Sequence, residues 1–226
     1  MMLSKIINFF VVRLRGRPFE IDSSINSSVM GVFLIRQGFC LVRGILRTHK
    51  LVSIGRFVTL TAKKNMKLST GVSIGNFCSV DALGIDGISM GAATSIGAFS
   101  LIKVSGSLIS LGQGIHIGAN VGIGEFAHIG GAGGVVIGDN TIAGAYLSIH
   151  PENHIFSDKT MLIREQGVTR KGIVIGSNCW LGAKVTVLDG CVIGNGCVVA
   201  AGAVVKGVFP DNVVIGGVPA RILKER

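Results

Sequence analysis

The sequence predicts an all-β solenoid of short strands and tight corners, preceded by a helical N-terminal segment and interrupted by one long extruded loop. Three observations predict it. From about residue 72 onward an aliphatic residue followed by a small one recurs every six positions. That period fits neither an amphipathic helix nor an alternating hairpin strand, but does fit a strand plus a corner repeated along an axis. The 226 residues include 34 glycines but only 4 prolines, with 48% hydrophobic residues, which excludes collagen and disordered low-complexity sequence. Finally, the period lapses between Ile149 and Ile175, 26 positions apart, and a loop must leave the solenoid there.

The chain opens with an apolar run at residues 6–12, broken by Asn8 and followed at once by Arg13. It has no small-residue cleavage site and is too short to span, so neither a signal peptide nor a membrane-spanning helix is expected and the protein reads as cytoplasmic. Residues 31–47, GVFLIRQGFCLVRGILR, have helical spacing, with Arg36, Arg43 and Arg47 on one stripe. Residues 1–50 are therefore taken as a basic amphipathic, helical segment and 51–226 as the solenoid. The helix has two compatible readings: it lies against an anionic membrane, peripheral at the inner face, or it packs across the open end of the solenoid to shield its core. The formal charge of +10 calls for an anionic partner such as a nucleotide phosphate, an acidic lipid or an acidic glycan. Nucleic acid is not expected. Five cysteines without a CxxC pair argue against a disulfide framework or a zinc ribbon and fit a reducing compartment.

Within the repeat, Ile74-Gly75, Met90-Gly91 and Ile96-Gly97 set one phase, and Leu111-Gly112, Ile117-Gly118, Ile123-Gly124 and Ile129-Gly130 a second. After a slip come Ile137-Gly138, Ala143-Gly144 and Ile149; the register returns at Ile175, Leu181, Val187, Ile193, Val199 and Val205. Each aliphatic should point inward, with Cys179, Val185, Cys191, Cys197 and Ala203 packing beside it. The glycine after it lets the chain turn where a side chain would clash, and glycines elsewhere supply positive φ.

The loop at 150–172 carries His150, Glu152, Asn153, His154, Arg164, Glu165, Gln166, Arg170 and Lys171, a dense polar set in a hydrophobic chain. Long loops on rigid scaffolds are where chemistry is usually mounted. His116 and His128 fall in outward slots, and Trp180, just before Leu181, should stand outside the coil.

The segments NHIFSD, REQGVTRKGIVIG, NCWLGAKVTVLDG, AAGAVV and IGGVPARIL resemble the hexapeptide-repeat O-acetyltransferases. This group includes the galactoside and maltose acetyltransferases and sugar acetyltransferases of polysaccharide biosynthesis. With the period, the resemblance covers roughly the last three quarters of the chain and implies a left-handed parallel β-helix. It implies transfer of acetyl from acetyl-CoA, without a metal, to a hydroxyl of a sugar or glycan precursor, in a homotrimer with sites between neighbours.

In that family a loop histidine takes the acceptor proton, a task suited to imidazole. His154, in its Asn-His-x-Phe context, best matches the family position. His150 is the rival, because His150-Pro151 imitates the His-Pro of the galactoside and maltose enzymes. Glu152 would orient an imidazole, and Asn153 and Trp180 would meet the acceptor. Ala183 and Ala201 would line the pantetheine arm, and Lys206, Arg221 and Lys224 the nucleotide phosphates. Gly207 stands where the family usually has lysine, with Lys206 shifted by one. Two other classes compete: a zinc enzyme of the β-helical carbonic anhydrase type, using His128, His150 and His154, and a non-catalytic β-helix scaffold.

Overall fold

The computed structural model describes residue 22 and residues 24–226; the apolar run at 6–12 lies outside the described residues. A helix, α1, spans Ser27–Thr48. Asn26 caps it, its side-chain oxygen accepting from the Ser28 backbone N–H at 2.7 Å, and His49 ends it in the left-handed region.

From Val52 the chain winds as a left-handed β-helix with three parallel faces. The first face starts at Ser53–Ile54 and runs through Ile142–Ala143 and Trp180–Leu181 to Val213–Gly217. The second runs from Thr59–Thr61 through His128–Gly130 and Ser148–His150 to Val204–Val205. The third runs from Met66–Leu68 to Val208–Phe209. On the first face Ile54, Ile74, Ile96, Ile123, Ala143, Leu181, Val199 and Ile215 stack in register, coil upon coil.

The coil thus begins one turn before the period becomes visible, because residues 52–68 keep only Ile54-Gly55 of the aliphatic-small pattern. One correction concerns Leu111. It does not face inward but ends a short excursion after Ser105, in which Ile109 is 99% exposed. The solenoid therefore carries two excursions where one was expected.

The corner glycines are required by stacking. A Cβ on Gly75 would lie 2.5 Å from the Ala98 nitrogen and one on Gly182 2.6 Å from that of Ala201, so the next coil leaves no room for it. Positive φ, expected mainly of glycines, is adopted two residues later by Phe57, Phe77, Phe99, Phe126 and Tyr146. Their rings form a stacked ladder with centroids 4.9–5.1 Å apart along one corner. The left-handed conformation costs an L-residue roughly 1–2 kcal/mol. An aromatic stack contributes about 0.5–1.5 kcal/mol, so the four stacks offset part of the strain of the five left-handed residues.

Inside, the small residues sit where the period puts them: Cys179, Val185, Cys191, Cys197 and Ala203 are all buried. The Cys78, Cys179 and Cys197 thiols reach corner carbonyls of Gly97, Gly194 and Pro210 at 3.1–3.2 Å. Burial pushes the Cys191 thiol up to about 12, so it stays protonated and packs as a small apolar group.

The start of the β-helix is covered by the helix. There α1 packs so closely that a Cβ on Gly44 would fall 1.7 Å from the Val52 carbonyl oxygen. Arg43 Nε donates to the Ile54 carbonyl at 2.9 Å and Arg47 Nη1 to that of Val58 at 2.7 Å. These two members of the arginine stripe satisfy backbone acceptors of the first coil, which is the shielding role. At the far end Val213–Gly217 and Ala220–Glu225 form an antiparallel hairpin, an element the repeat did not reveal.

Candidate active site

The long excursion leaves the second face at the end of Ser148–His150 and returns into the third-face strand Ile173–Ile175. Asn153–His154 pairs antiparallel with Val168–Thr169, making a short ribbon at its base. Beyond the ribbon, Gln166 folds the tip by accepting from the Asp158 N–H at 3.0 Å and donating to the Met161 carbonyl at 2.9 Å.

Two anchors fix the root. The nearly buried carboxylate of Asp189 accepts from the Lys171 and Gly172 N–H groups at 2.8 and 2.9 Å. Arg170 Nε meets Glu152 Oε2 at 2.6 Å, the one ion pair among the described residues. The same guanidinium donates through Nη1 to Ser110 Oγ at 2.9 Å and to the Leu111 carbonyl at 3.3 Å, tying the two excursions together. Glu152, expected to orient an imidazole, thus has its Oε2 engaged by Arg170 and acts in the loop anchor. Asp189 was missed; the aspartate in the otherwise apolar stretch TVLDG was the available signal.

His150 and His154 line a single depression of about 320 Å³ together with Lys103, His128, Pro151 and Glu152. His128 stands one coil below, on the strand paired with Ser148–His150, and its ring stacks on His150 with centroids 5.3 Å apart. The Ser148 hydroxyl lies 2.7 Å from His150 Nε2. If Nε2–H is the donor in that contact, Nδ1 keeps its lone pair. His154, on the ribbon, is exposed. Burial first, and the charge of His150 second, push the His128 pKa below its ordinary value, so His128 favours the neutral form. Read from the sequence as a residue in an outward slot, His128 is half-buried at the candidate site. Lys103 was missed as well, since its outward slot acquires meaning only beside Gly130 and His150.

Other site candidates lie elsewhere on this protomer. Trp180 stands outside the coil as expected, 55% exposed on the first face, and does not line the histidine depression. It sits between Ile142 and Val198 in an outward apolar column. Ala183 and Ala201 lie on consecutive coils at one corner, both exposed. Gly216, the register partner of Arg221, packs against Ala200, so Ala183, Ala201 and Arg221 follow the same corner. Lys224 pairs with Val214, farther into the first face. Lys206 is exposed beyond the last second-face strand, on a different corner. Gly207 has φ +99°, a backbone conformation that favours glycine. The described residues contain no cluster of three His, Cys, Asp or Glu side chains placed to hold a metal ion, so His128, His150 and His154 do not form the trio a zinc site would need.

Comparison with known proteins agrees with this architecture. Residues 172–207 match the bacterial transferase hexapeptide (six repeats) family model. The chain is 37% identical over 126 residues to the putative lipopolysaccharide biosynthesis O-acetyl transferase WbbJ of Escherichia coli K12, covering 52% of this chain and 64% of that one. It is 34% identical over 121 residues to the galactoside O-acetyltransferase of the same organism, covering 51% and 56%. The matches thus span less than two thirds of those relatives' length. In fold, the chain superimposes on a serine-to-alanine mutant of AntD, an N-acyltransferase from Bacillus cereus solved with dTDP-4-amino-4,6-dideoxyglucose and coenzyme A. The TM-score is 0.53 at 18% identity, with 91% of this chain and 92% of that one covered. By repeat, by fold and by identity over about half its length, the chain is a hexapeptide-repeat left-handed β-helix similar to named O-acetyltransferases.

Proposed function

We propose that the protein transfers an acetyl group from acetyl-CoA to a hydroxyl of a sugar or glycan precursor in cell-surface polysaccharide biosynthesis, working as a homotrimer. The observation that carries this reading is the convergence of two loop imidazoles on one depression of a scaffold similar to O-acetyltransferases. The coenzyme would follow the corner of Ala183, Ala201 and Arg221, where small residues let a pantetheine arm approach the backbone and a permanent cation meets phosphate. Lys224 would add charge near that corner; Lys206 lies too far round to share the role on the same protomer. Trp180 of one subunit and the histidine depression of its neighbour would together wall the acceptor, with Asn153 at the rim.

In the reaction, an imidazole removes the hydroxyl proton as the oxygen attacks the thioester carbonyl; the C–S bond breaks and the proton passes to the departing CoA thiolate. The geometry favours His150 as base over His154, the better motif match. Ser148 and His128 hold the His150 ring on two sides, and a general base works best when a third group orients it. The test is acetyl-CoA turnover against nucleotide sugars, oligosaccharides and small hydroxyl acceptors, with His150→Ala and His154→Ala compared on the best one. Replacing the base should lower kcat by about 10²–10⁴ with CoA affinity nearly unchanged. The other replacement should stay within about tenfold, or roughly 1.4 kcal/mol of barrier. The reverse order makes His154 the base, and full activity in both variants removes the loop histidines from the mechanism.

A further inference from the structure

The helix α1 is amphipathic in the wrong sense for a helix in water. Arg43 and Arg47 turn toward the β-helix and donate to its carbonyls. The side turned away from the docked Cys40 and Gly44 carries Val32, Ile35, Phe39, Val42 and Leu46, exposed by 52% to 72%. At 3.6 residues per turn these five fall within one arc of about 80°, the arc on which a surface helix ordinarily presents its charges. Only Cys40 and Gly44 of the helix are buried, so its last turns dock and its first turns stand clear of the coil. At the C-terminal end of α1, Arg47, His49, Lys50, Lys63 and Lys64 line a depression of about 430 Å³. Among the described residues none of these cations has a carboxylate within 4.0 Å.

We propose that α1 lies on an anionic phospholipid surface, its apolar arc at the acyl-chain boundary and Lys50, Lys63 and Lys64 against the headgroup phosphates. Apolar burial and attraction to acidic lipids are the two terms that hold an interfacial helix. Charge complementarity selects lipid over a second copy of the chain. Two copies meeting through this arc would bring together proteins that each carry +10, whereas an acidic bilayer neutralises that charge. By length and composition alone α1 could cross a membrane. Its docked final turns leave residues 27–39 free, roughly 20 Å of helix against a hydrocarbon core of about 30 Å, so it lies on the surface. This inference does not rest on the acetyl-transfer reading.

The experiment is flotation of the full chain with vesicles of phosphatidylcholine alone or mixed with phosphatidylglycerol. The protein should float with the anionic vesicles and not with the neutral ones, and added salt should release part of it. Phe39→Glu with Leu46→Glu, and separately Lys50→Glu with Lys63→Glu and Lys64→Glu, should each weaken anionic-vesicle binding at least about tenfold. Thermal unfolding should stay unchanged, because the replaced side chains make none of the bonds that dock α1. Failure of the wild type to float with anionic vesicles overturns the proposal, as does binding that survives both sets of substitutions. If vesicles are ignored and Phe39→Glu with Leu46→Glu instead reduces the sedimenting mass, the face belongs to a second copy and the proposal is wrong.

Discussion

At the scale of single residues, His128 links the candidate site to stability. Burial and the neighbouring charge of His150 hold its pKa below the ordinary 6.5, so the unfolded chain takes up a proton there before the folded one does. Stability from this group is therefore complete above about pH 6.5 and is lost as pH falls toward the lowered folded value. Melting temperature should drop between about pH 7.5 and pH 5 by more in the wild type than in His128→Gln, as followed by circular dichroism. Equal slopes would mean that His128 titrates alike in both states. Glu152 and Asp189 carry a related lesson. Both are acidic residues near the loop, yet each anchors backbone or guanidinium donors at its root, so an acidic residue beside a histidine did not identify an imidazole's partner.

At the scale of elements, two glycines of α1 have opposite expected effects. Gly→Ala inside a helix ordinarily stabilises by about 1 kcal/mol. Gly38→Ala should follow that rule, since nothing lies within 4 Å of the added methyl. Gly44→Ala should reverse it, because the methyl would collide with the Val52 carbonyl, and overpacking of this kind costs about 1–3 kcal/mol. Denaturant midpoints of the two variants, compared with the wild type, check the sign. A stabilised Gly44→Ala would show that α1 does not dock on the first coil as described.

At the scale of the molecule, the proposed trimer makes its own prediction about Trp180, which lies apart from the histidine depression on the single chain. Ile142, Trp180 and Val198 form an outward apolar column with nothing over it in the single chain. A closed ring of three copies would give three equivalent sites, each built from two subunits. Light scattering should give a trimer mass, and Trp180→Glu should shift it toward monomer with loss of turnover. A wild-type monomer with full activity would sink the shared-site arrangement.

The six-residue period was enough to establish the solenoid, the inward aliphatics other than Leu111, the buried cysteines of the coil, and the departure of the chain after Ile149. These properties depend on near neighbours, so they are written locally. The left-handed ladder at Phe57, Phe77, Phe99, Phe126 and Tyr146 was not legible, because unequal coil lengths hide its spacing until the coils are stacked. The direction of the arginine stripe, the excursion ending at Leu111, and the meeting of Lys103 and His128 with His150 also required the folded molecule. Each is a contact between coils or between an excursion and a coil, and such contacts follow from stacking register, which a hexapeptide read alone does not contain.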